Sequence, residues 1–240
     1  MRIAIIGFGR MGKLIAEIAL EAGHEVPYKI NSSNKSKIND ITDADVAIEF
    51  THPSEAVKNF EILASNNIPT VTGTTGWYTH FEQATDHFEK NKTPFFYASN
   101  FSVGVHLATA ASNYLAKLIQ NFPEYEPRIE EWHHTHKKDA PSGTAISIGE
   151  AILKNHRGYS DIDTENEHPE DGSIPIIAHR EGEIPGTHRI TYTSAIDSIH
   201  IEHRAFNRNG FATGALKAAE FLVEQNTGIY NMNDLIKLAQ

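Results

Sequence analysis

The sequence contains no cysteine among its 240 residues. Disulfide bonds, thiolate metal sites and a cysteine nucleophile are therefore excluded. No apolar run approaches the roughly 20 residues that a membrane span needs. The short apolar stretch at residues 3–6 leads into glycines and has no signal-peptide cleavage site after it. These absences predict a cytoplasmic protein with no membrane partner.

Basic residues are scarce relative to acidic ones. Lys and Arg number 21 against 31 Asp and Glu, which gives a formal net charge of −10. Because binding to nucleic acids or anionic membranes depends on clustered Lys and Arg, this balance argues against both kinds of partner. It also makes any local cluster of cations informative.

The pattern of apolar residues changes near residue 102. Before residue 102, short strands alternate with helices. One helical pattern follows the first glycine loop, and two further helices come later. Such alternation is typical of βαβ units with a parallel sheet. The strands are predicted at 2–6, 25–30, 45–50, 69–72 and 94–98, and the two later helices at 53–66 and 79–90. After it, helices are predicted at 103–122, 142–156, 211–225 and 232–239, strands at 126–132, 174–180, 188–193 and 198–205, and a mobile loop at 157–173.

These patterns predict an α/β protein with two domains. Residues 1–102 form a Rossmann-like dinucleotide-binding domain, on which C-terminal helices within 211–240 pack back. Residues 103–210 form a smaller α+β domain with a mixed sheet, for substrate binding and oligomerisation. In its last two strands, Ile190, Tyr192, Ile199 and Ile201 share one face by alternation.

A glycine loop, Gly7-Phe8-Gly9-Arg10-Met11-Gly12, joins the first strand to the first helix. In a dinucleotide fingerprint, the first glycine allows the tight turn, the second lets the backbone approach a pyrophosphate, and the third lets helix and strand pack closely. The N-terminus of the helix then offers N–H groups to the phosphates. The alternative is an ordinary glycine-rich turn, but the βαβ pattern that follows favours dinucleotide binding.

The residues after the second strand bear on the choice of cofactor. A site that prefers NAD carries Asp or Glu there, and this chain has Asn31 and Ser32, followed by Lys35. Neutral donors with a nearby cation suit a 2′-phosphate, so the sequence favours NADPH or use of both cofactors. The alternative is that Lys35 and Lys37 are simply solvated.

Two further loops follow strands of the same sheet, Gly73-Thr74-Thr75-Gly76 and Ala98-Ser99-Asn100-Phe101. Ligands bind at the carboxyl ends of parallel strands, so both loops are predicted to contact the nicotinamide half of the cofactor. Each taken alone is also compatible with ordinary turn chemistry.

The segment 131–144 places three histidines and two lysines within six residues, just before a helix. Ser142 is a suitable N-cap, and the N–H groups of Gly143 and Thr144 then point at an anion. Histidine exchanges protons near neutral pH, and Lys137 supplies a charge for a carboxylate. The segment therefore predicts a pocket for a small anionic substrate. The alternatives are a metal site at the His-x-x-His spacing, which lacks a convincing third ligand, and a solvated basic loop.

These residues give the chain a family resemblance. From the glycine loop to the C-terminal FATGALKAAEFL, the chain resembles the 4-hydroxy-tetrahydrodipicolinate reductases, also called dihydrodipicolinate reductases. The most specific match is E-x-H-H-x-x-K-x-D-A-P-S-G-T-A at residues 131–145. GTTG at 73–76, NFSVGV at 100–105 and the late His203-Arg204-Ala205 support it.

The resemblance implies a reaction and a role for each matching residue. It implies reduction of a dicarboxylate substrate by NADPH or NADH in the diaminopimelate route to lysine, without a metal, in a homotetramer assembled through the second domain's sheet. His133 matches the proton donor and Lys137 the second catalytic position. His134, Ser142, Gly143 and Thr144 match substrate contacts. The cofactor contacts are residues 7–12, Asn31, Ser32, Gly73, Thr74, Thr75, Ala98, Ser99, Asn100 and Phe101.

Two other functions are compatible with the architecture alone. One is a different two-domain NAD(P)-dependent dehydrogenase, such as a sugar or homoserine dehydrogenase, which does not need the segment 131–145. The other is a catalytically silent dinucleotide-binding sensor, which does not need proton donors and a carboxylate site in its second domain.

Overall fold

Two β-sheets organise the chain, one in each of two units. The computed structural model describes residues 1–167, 169 and 172–236. The first unit comprises Met1–Val103 and Asn209–Gln240, and the second comprises Gly104–Arg208.

The strands and helices are numbered here along the chain. The strands are β1 Arg2–Ile6, β2 Glu25–Ile30, β3 Val46–Glu49, β4 Thr70–Thr72, β5 Phe95–Tyr97, β6 Glu126–His133, β7 Asp161–Asp163, β8 Ser173–Arg180, β9 Thr187–Thr193, β10 Ser198–Arg204 and β11 Ile229–Tyr230. The helices are α1 Arg10–Glu21, α2 Pro53–Ser65, α3 Phe81–Lys90, α4 Val103–Ile119, α5 Gly143–Asn155, α6 Asn209–Val223 and α7 Met232–Ile236. Within the described ranges, no helix is both long and apolar enough to span a membrane.

The sheet of the first unit is parallel, with strand order β2-β1-β3-β4-β5-β11. The chain runs from β1 to β2 on one side and then returns to place β3 on the other side of β1. Ligands of such sheets bind at the carboxyl ends of the strands, where the strand order reverses. The glycine loop directly after β1 lies at that point.

Alternation along β1 explains why helices cover both faces of this sheet. Ile3 and Ile5 pack with α1 and α6, whereas Ala4 and Ile6 pack with residues around Leu63 of α2. A strand buried on both faces has a continuous apolar sequence, as RIAII has here. The predicted Rossmann-like fold is confirmed.

The sheet of the second unit is mixed, as predicted, with strand order β10-β9-β6-β8-β7. β6 lies at its centre, antiparallel to β9 and parallel to β8. Apolar residues of α4 and α5 cover one face, where they pack on Ile129, Ile176, Ile190 and Tyr192. The alternation along β6 points Glu131 and His133 to the same side as Ile129, and both are buried.

The prediction of a loop over 157–173 is wrong at residues 161–163. These form β7, which pairs with β8 at the sheet edge. Its three residues, Asp-Ile-Asp, are too few and too acidic to show strand periodicity. Within the predicted loop, residues 168, 170 and 171 lie outside the described residues, and so does the end of the predicted helix at 232–239, from residue 237 onward.

The alternation predicted for β9 and β10 holds, but the two strands differ in burial. Ile190 and Tyr192 of β9 are buried, whereas Ile199 of β10 is 39% exposed. Register pairs Ile199 with Tyr192 and Ile201 with Ile190, so all four residues share a face. β10 is the edge strand, and the helices that cover β9 leave it only partly covered.

Gly214 shows how closely α6 approaches the loop that follows β5. A Cβ at Gly214 would overlap the carbonyl oxygen of Phe101, whereas a Cβ at Gly210 of the same helix would meet no atom within 4 Å. Gly214→Ala is therefore expected to lower the free energy of unfolding by about 3 kcal/mol through overpacking. Gly210→Ala should stay within about 1 kcal/mol of wild type. Denaturant unfolding measures both, and equal effects would contradict this packing.

Candidate active site

The glycine loop of the first unit borders a cavity of about 510 Å³. Of the residues predicted to bind cofactor, Gly7, Phe8, Gly9, Asn31 and Ser32 line it. The other three residues of the loop, Arg10, Met11 and Gly12, form the first turn of α1. The structure thus brings to one cavity the glycine loop, predicted to contact the pyrophosphate, and the residues after β2, predicted to lie at the adenosine ribose.

The three glycines of the loop have different surroundings. Gly7 has a positive φ of 98°, and a Cβ there would overlap the carbonyl oxygen of Phe50. A Cβ at Gly12 would overlap the carbonyl oxygen of Gly7. A Cβ at Gly9 would meet nothing within 4 Å, although Gly9 lines the cavity. Gly7 and Gly12 are therefore required by the fold, and Gly9 leaves room for a ligand at the N-terminus of α1, as a pyrophosphate requires.

The loops after β4 and β5 pack around Phe50. Gly73 lies against the Phe50 ring, and the Phe101 ring is 5.8 Å from it. Thr74 is buried, and its hydroxyl accepts a hydrogen bond from the backbone N–H of Thr51 at 2.8 Å. Part of the predicted cofactor loop therefore stabilises the fold itself.

The remaining residues of these two loops lie at the same edge of the sheet. Thr75 and Ser99 are exposed there, and Ala98 continues the β4–β5 pairing through its N–H. Asn100 accepts a hydrogen bond from the N–H of Ser102 at 2.8 Å. Thr75 and Ser99 are thus the members of these loops whose side chains are open to solvent.

Glu49, at the end of β3, was missed by the sequence analysis. Its carboxylate is fully buried and accepts hydrogen bonds from the hydroxyls of Thr51 and Thr72, the latter at 2.6 Å. The amide of Asn59 is a weaker donor at 3.4 Å. Burial raises the pKa of Glu49, and the hydroxyl and amide donors only partly offset it. Glu49 thus ties the loops after β3 and β4 together.

Glu131 is the centre of the corresponding cluster in the second unit. It is fully buried, and its Oε1 accepts hydrogen bonds from the backbone N–H of Ser142 and from Arg180 Nη2, both at 2.9 Å. Its Oε2 accepts from the Ser142 hydroxyl and lies 3.5 Å from Nδ1 of His133 and 3.6 Å from Nε2 of His188.

Charge and hydrogen bonds keep Glu131 ionised. Burial alone would raise its pKa, but the nearby ring of His188, the hydrogen bonds from Ser142 and Arg180, and the nearby ring of His133 together outweigh burial and lower the pKa to about 2. A carboxylate is therefore present at neutral pH, on the buried side of the strand that carries His133.

His133 is neutral at neutral pH in the free protein. Burial lowers its pKa to about 4; Glu131 opposes this change, while His188, Lys137 and Arg180 add to it. Its Nδ1 faces Glu131, and its Nε2 lies beside Gly186, where a Cβ would approach to 3.1 Å. The backbone of Gly186 thus packs close to Nε2, the nitrogen that does not face Glu131, where a larger residue would crowd the ring.

The predicted catalytic lysine has a partner that the sequence analysis missed. Lys137 Nζ donates to both oxygens of Asp139, at 2.7 and 2.6 Å. This hydrogen bonding lowers the pKa of Asp139. The ammonium therefore stays close to His133, whose pKa it lowers, and a ligand carboxylate that binds it must compete with Asp139.

The adjacent histidines differ in their surroundings. His134 is half-buried, and its covered Nδ1 has no hydrogen-bond partner within the part of the chain that the structure describes. His136 is exposed and lies 3.7 Å from Glu183. The His-x-x-His pair, His133 and His136, is therefore split between a buried and an exposed position.

Ser142 caps α5, as predicted, by accepting a hydrogen bond from the N–H of Ala145 at 3.2 Å. Because its own N–H and hydroxyl donate to Glu131, Ser142 faces the buried carboxylate. Gly143, in contrast, is exposed, and a Cβ there would meet no atom within 4 Å. Gly143 and Thr144 thus form the first turn of α5, where backbone N–H groups point out of the end of the helix.

Among the described residues, one group has the spacing to hold a metal ion: Glu131, His133 and His188, whose ligand atoms lie within 4.8 Å of one another. The donors from Ser142 and the guanidinium of Arg180 already occupy this carboxylate. We therefore interpret the group as a buried cluster in which Glu131 is held by Ser142 and Arg180 and lies within ion-pair distance of His133.

Arg180 and His188 were also missed by the sequence analysis. His188 has the same strand parity as Ile190 and Tyr192, so the alternation of β9 could have predicted its burial. No local pattern indicates Arg180, because it meets Glu131 only through the pairing of β8 with β6.

The sequence matches a known family in both of its parts. Residues 1–101 match the family described as dihydrodipicolinate reductase, N-terminus, and residues 104–236 match dihydrodipicolinate reductase, C-terminus. The chain belongs to the dihydrodipicolinate reductase family. Membership in this family argues against a sugar or homoserine dehydrogenase. It also implies that the cofactor is NADH or NADPH.

Individual relatives from this family are similar to the chain over nearly its whole length. The chain is 41% identical to the 4-hydroxy-tetrahydrodipicolinate reductase of Christiangramia forsetii, with 98% of each chain covered. It is 33% identical to the enzyme of the same name from Archaeoglobus fulgidus, with 99% of this chain and 100% of that one covered. Among solved structures, it is similar to the dipicolinate-bound dihydrodipicolinate reductase of Paenisporosarcina sp. TG-14, with a TM-score of 0.76, 25% identity and 98% of each chain covered.

The Glu131 network makes a stability prediction. Glu131→Gln leaves Arg180 without its buried anionic partner, so we expect the free energy of unfolding to fall by about 3 kcal/mol at pH 7. Glu126→Gln, an exposed change on the same strand, should alter it by less than about 0.5 kcal/mol. Urea unfolding measures both variants. A Glu131→Gln protein as stable as wild type would contradict the stabilising role assigned to this carboxylate.

Proposed function

We propose that this chain reduces 4-hydroxy-tetrahydrodipicolinate to tetrahydrodipicolinate with NADPH or NADH, in the diaminopimelate route to lysine. The observation that carries this proposal is the surroundings of His133. A buried imidazole lies close to Lys137 and to Arg180, and Ser142, which caps the open end of α5, shares its carboxylate partner Glu131. These groups suit a small dianion that must receive a proton.

The cavity at the glycine loop would hold the cofactor. Gly9 and the N-terminus of α1 would face the pyrophosphate, and Asn31 and Ser32 the adenosine ribose. The loops at residues 73–75 and 98–101 would contact the nicotinamide half. When bound, the cofactor supplies a hydride to C4 of the ring, after the 4-hydroxy compound has lost water.

The second unit would hold the two carboxylates of the substrate. Lys137 would exchange Asp139 for one carboxylate, and the N–H groups of Gly143 and Thr144 would bind the other. The covered Nδ1 of His134 offers a further contact. Because Ser142 faces Glu131, we assign it to orienting the helix terminus through its cap, instead of the direct substrate contact that the resemblance implies.

His133 would deliver the proton at C3 of the enamine. In the free protein it is neutral, and a dianion beside it would raise its pKa toward the ordinary value of about 6.5. Substrate binding would thereby charge the proton donor where it is needed. General-acid catalysis of this kind contributes on the order of 10²–10⁴ in rate.

Assembly and location complete the proposal. We place the protein in the cytoplasm, as a homotetramer that associates through the sheet of the second unit. The face of this sheet opposite its helices carries the Trp132 ring stacked on His179 at 4.8 Å and Arg189 over the same ring. Such aromatic and arginine side chains are enriched at interfaces between subunits.

Two substitutions test the catalytic roles. His133→Gln and Lys137→Ala should each cut turnover at least about 100-fold, because one removes the proton donor and the other a carboxylate contact. The matched changes His136→Gln and Lys138→Ala, at exposed positions of the same segment, should leave turnover within about twofold. Steady-state kinetics and cofactor titrations measure all four variants, and cofactor binding should be kept throughout.

Ligand binding and turnover of the wild-type protein separate this reductase from a silent sensor. Pyridine-2,6-dicarboxylate, a planar analogue of the substrate, should raise the melting temperature of wild type in the presence of NADPH. Near-normal turnover in His133→Gln and Lys137→Ala would refute the assigned roles. Absence of any turnover in wild type, with cofactor still bound, would favour the sensor.

A further inference from the structure

An ion pair lies on the wall of the nucleotide cavity. Lys35 begins the short 3-10 helix Lys35–Asp40, and Glu55 lies in the first turn of α2; the Lys35 Nζ and a Glu55 carboxylate oxygen form the pair. Both residues line the cavity together with Asn31 and Ser32. The sequence has no acidic residue directly after β2. Glu55, from the helix that follows β3, nevertheless brings a carboxylate to the same cavity wall.

The ion pair lies near the residues expected to bind the adenosine end of the cofactor. In dinucleotide-binding sheets, the residues after the second strand meet the 2′ position of the adenosine ribose. Asn31 directly follows β2, and its side chain is held by hydrogen bonds from the N–H and hydroxyl of Ser33, at 2.9 and 2.7 Å. Lys35 and Glu55 therefore belong to the part of the wall where NADH carries a hydroxyl and NADPH a phosphate.

The two charges act on a 2′-phosphate in opposite directions. Lys35 attracts it, while Glu55 repels it and also neutralises Lys35. We propose that Glu55 is a specificity-determining residue, which limits the preference of this chain for NADPH and allows NADH to bind. The proposal rests on the function proposed above, since it concerns the cofactor of that reaction.

The exposure of the pair is what would allow both cofactors to bind. The side chains of Lys35 and Glu55 are 47% and 38% exposed, so water screens their attraction and a phosphate can replace the carboxylate beside Lys35. Glu55 then lowers the affinity for NADPH without abolishing it. A buried pair at this place would have excluded the phosphate.

Binding titrations of NADPH and NADH test the proposal without relying on turnover. Glu55→Gln should tighten NADPH binding about fivefold and leave NADH within about twofold. Lys35→Gln should weaken NADPH binding about fivefold or more, again with little effect on NADH. Glu61→Gln, an exposed change of the same charge on α2 away from the cavity lining, should affect neither cofactor.

The outcomes separate this proposal from the function on which it rests. An unchanged NADPH-to-NADH affinity ratio in Glu55→Gln would overturn the role of Glu55, and so would an equal shift in Glu61→Gln, which would show a general charge effect. A wild-type protein that binds neither cofactor would instead contradict the proposed function.

Discussion

The second unit depends on one buried carboxylate. Glu131 is fully buried, and the N-cap of α5, the guanidinium of Arg180 and the rings of His133 and His188 all meet it. Ionic groups inside a protein are stable only when partners surround them, and removing one partner leaves the others uncompensated. A single charge on β6 therefore fixes three things at once: the start of a helix, the orientation of an imidazole and the position of an arginine from β8.

The two units use a buried glutamate in different ways. Glu49 is surrounded by hydroxyl and amide donors, which do not outweigh burial, so its pKa is raised. Glu131 has cationic and imidazole donors, which do outweigh burial, so its pKa is lowered to about 2. Neutral donors suit a carboxyl group that only links loops, whereas charged donors sustain the permanent anion that a proton-transfer site needs. Both residues end up inside because strand alternation turns them toward the core.

Local sequence patterns predicted much of the fold but fewer of the candidate site residues. The continuous apolar run of β1, the glycine loop and the N-cap at Ser142 were predictable because each depends on neighbouring residues. The short edge strand β7 was not, since three residues show no period. Arg180, His188 and Glu55 were not identified as site residues because strand register and helix placement bring them to Glu131 and Lys35 from 20 or more positions away. The family resemblance implied catalytic roles for His133 and Lys137, which stay predictions, and it did not indicate the residues that surround them.

The central claim is that the dianionic ligand charges a histidine that the free protein keeps neutral. The pKa of His133 is about 4 before binding. If the dianion raises that pKa, as proposed above, His133 takes up a proton on binding at any pH between the two values. Calorimetric titration of pyridine-2,6-dicarboxylate into the NADPH complex at pH 6, in buffers of different ionisation enthalpy, measures this uptake. The account predicts uptake approaching one proton per site in wild type and near none in His133→Gln. Binding without proton uptake in wild type, or equal uptake in His133→Gln, would contradict it.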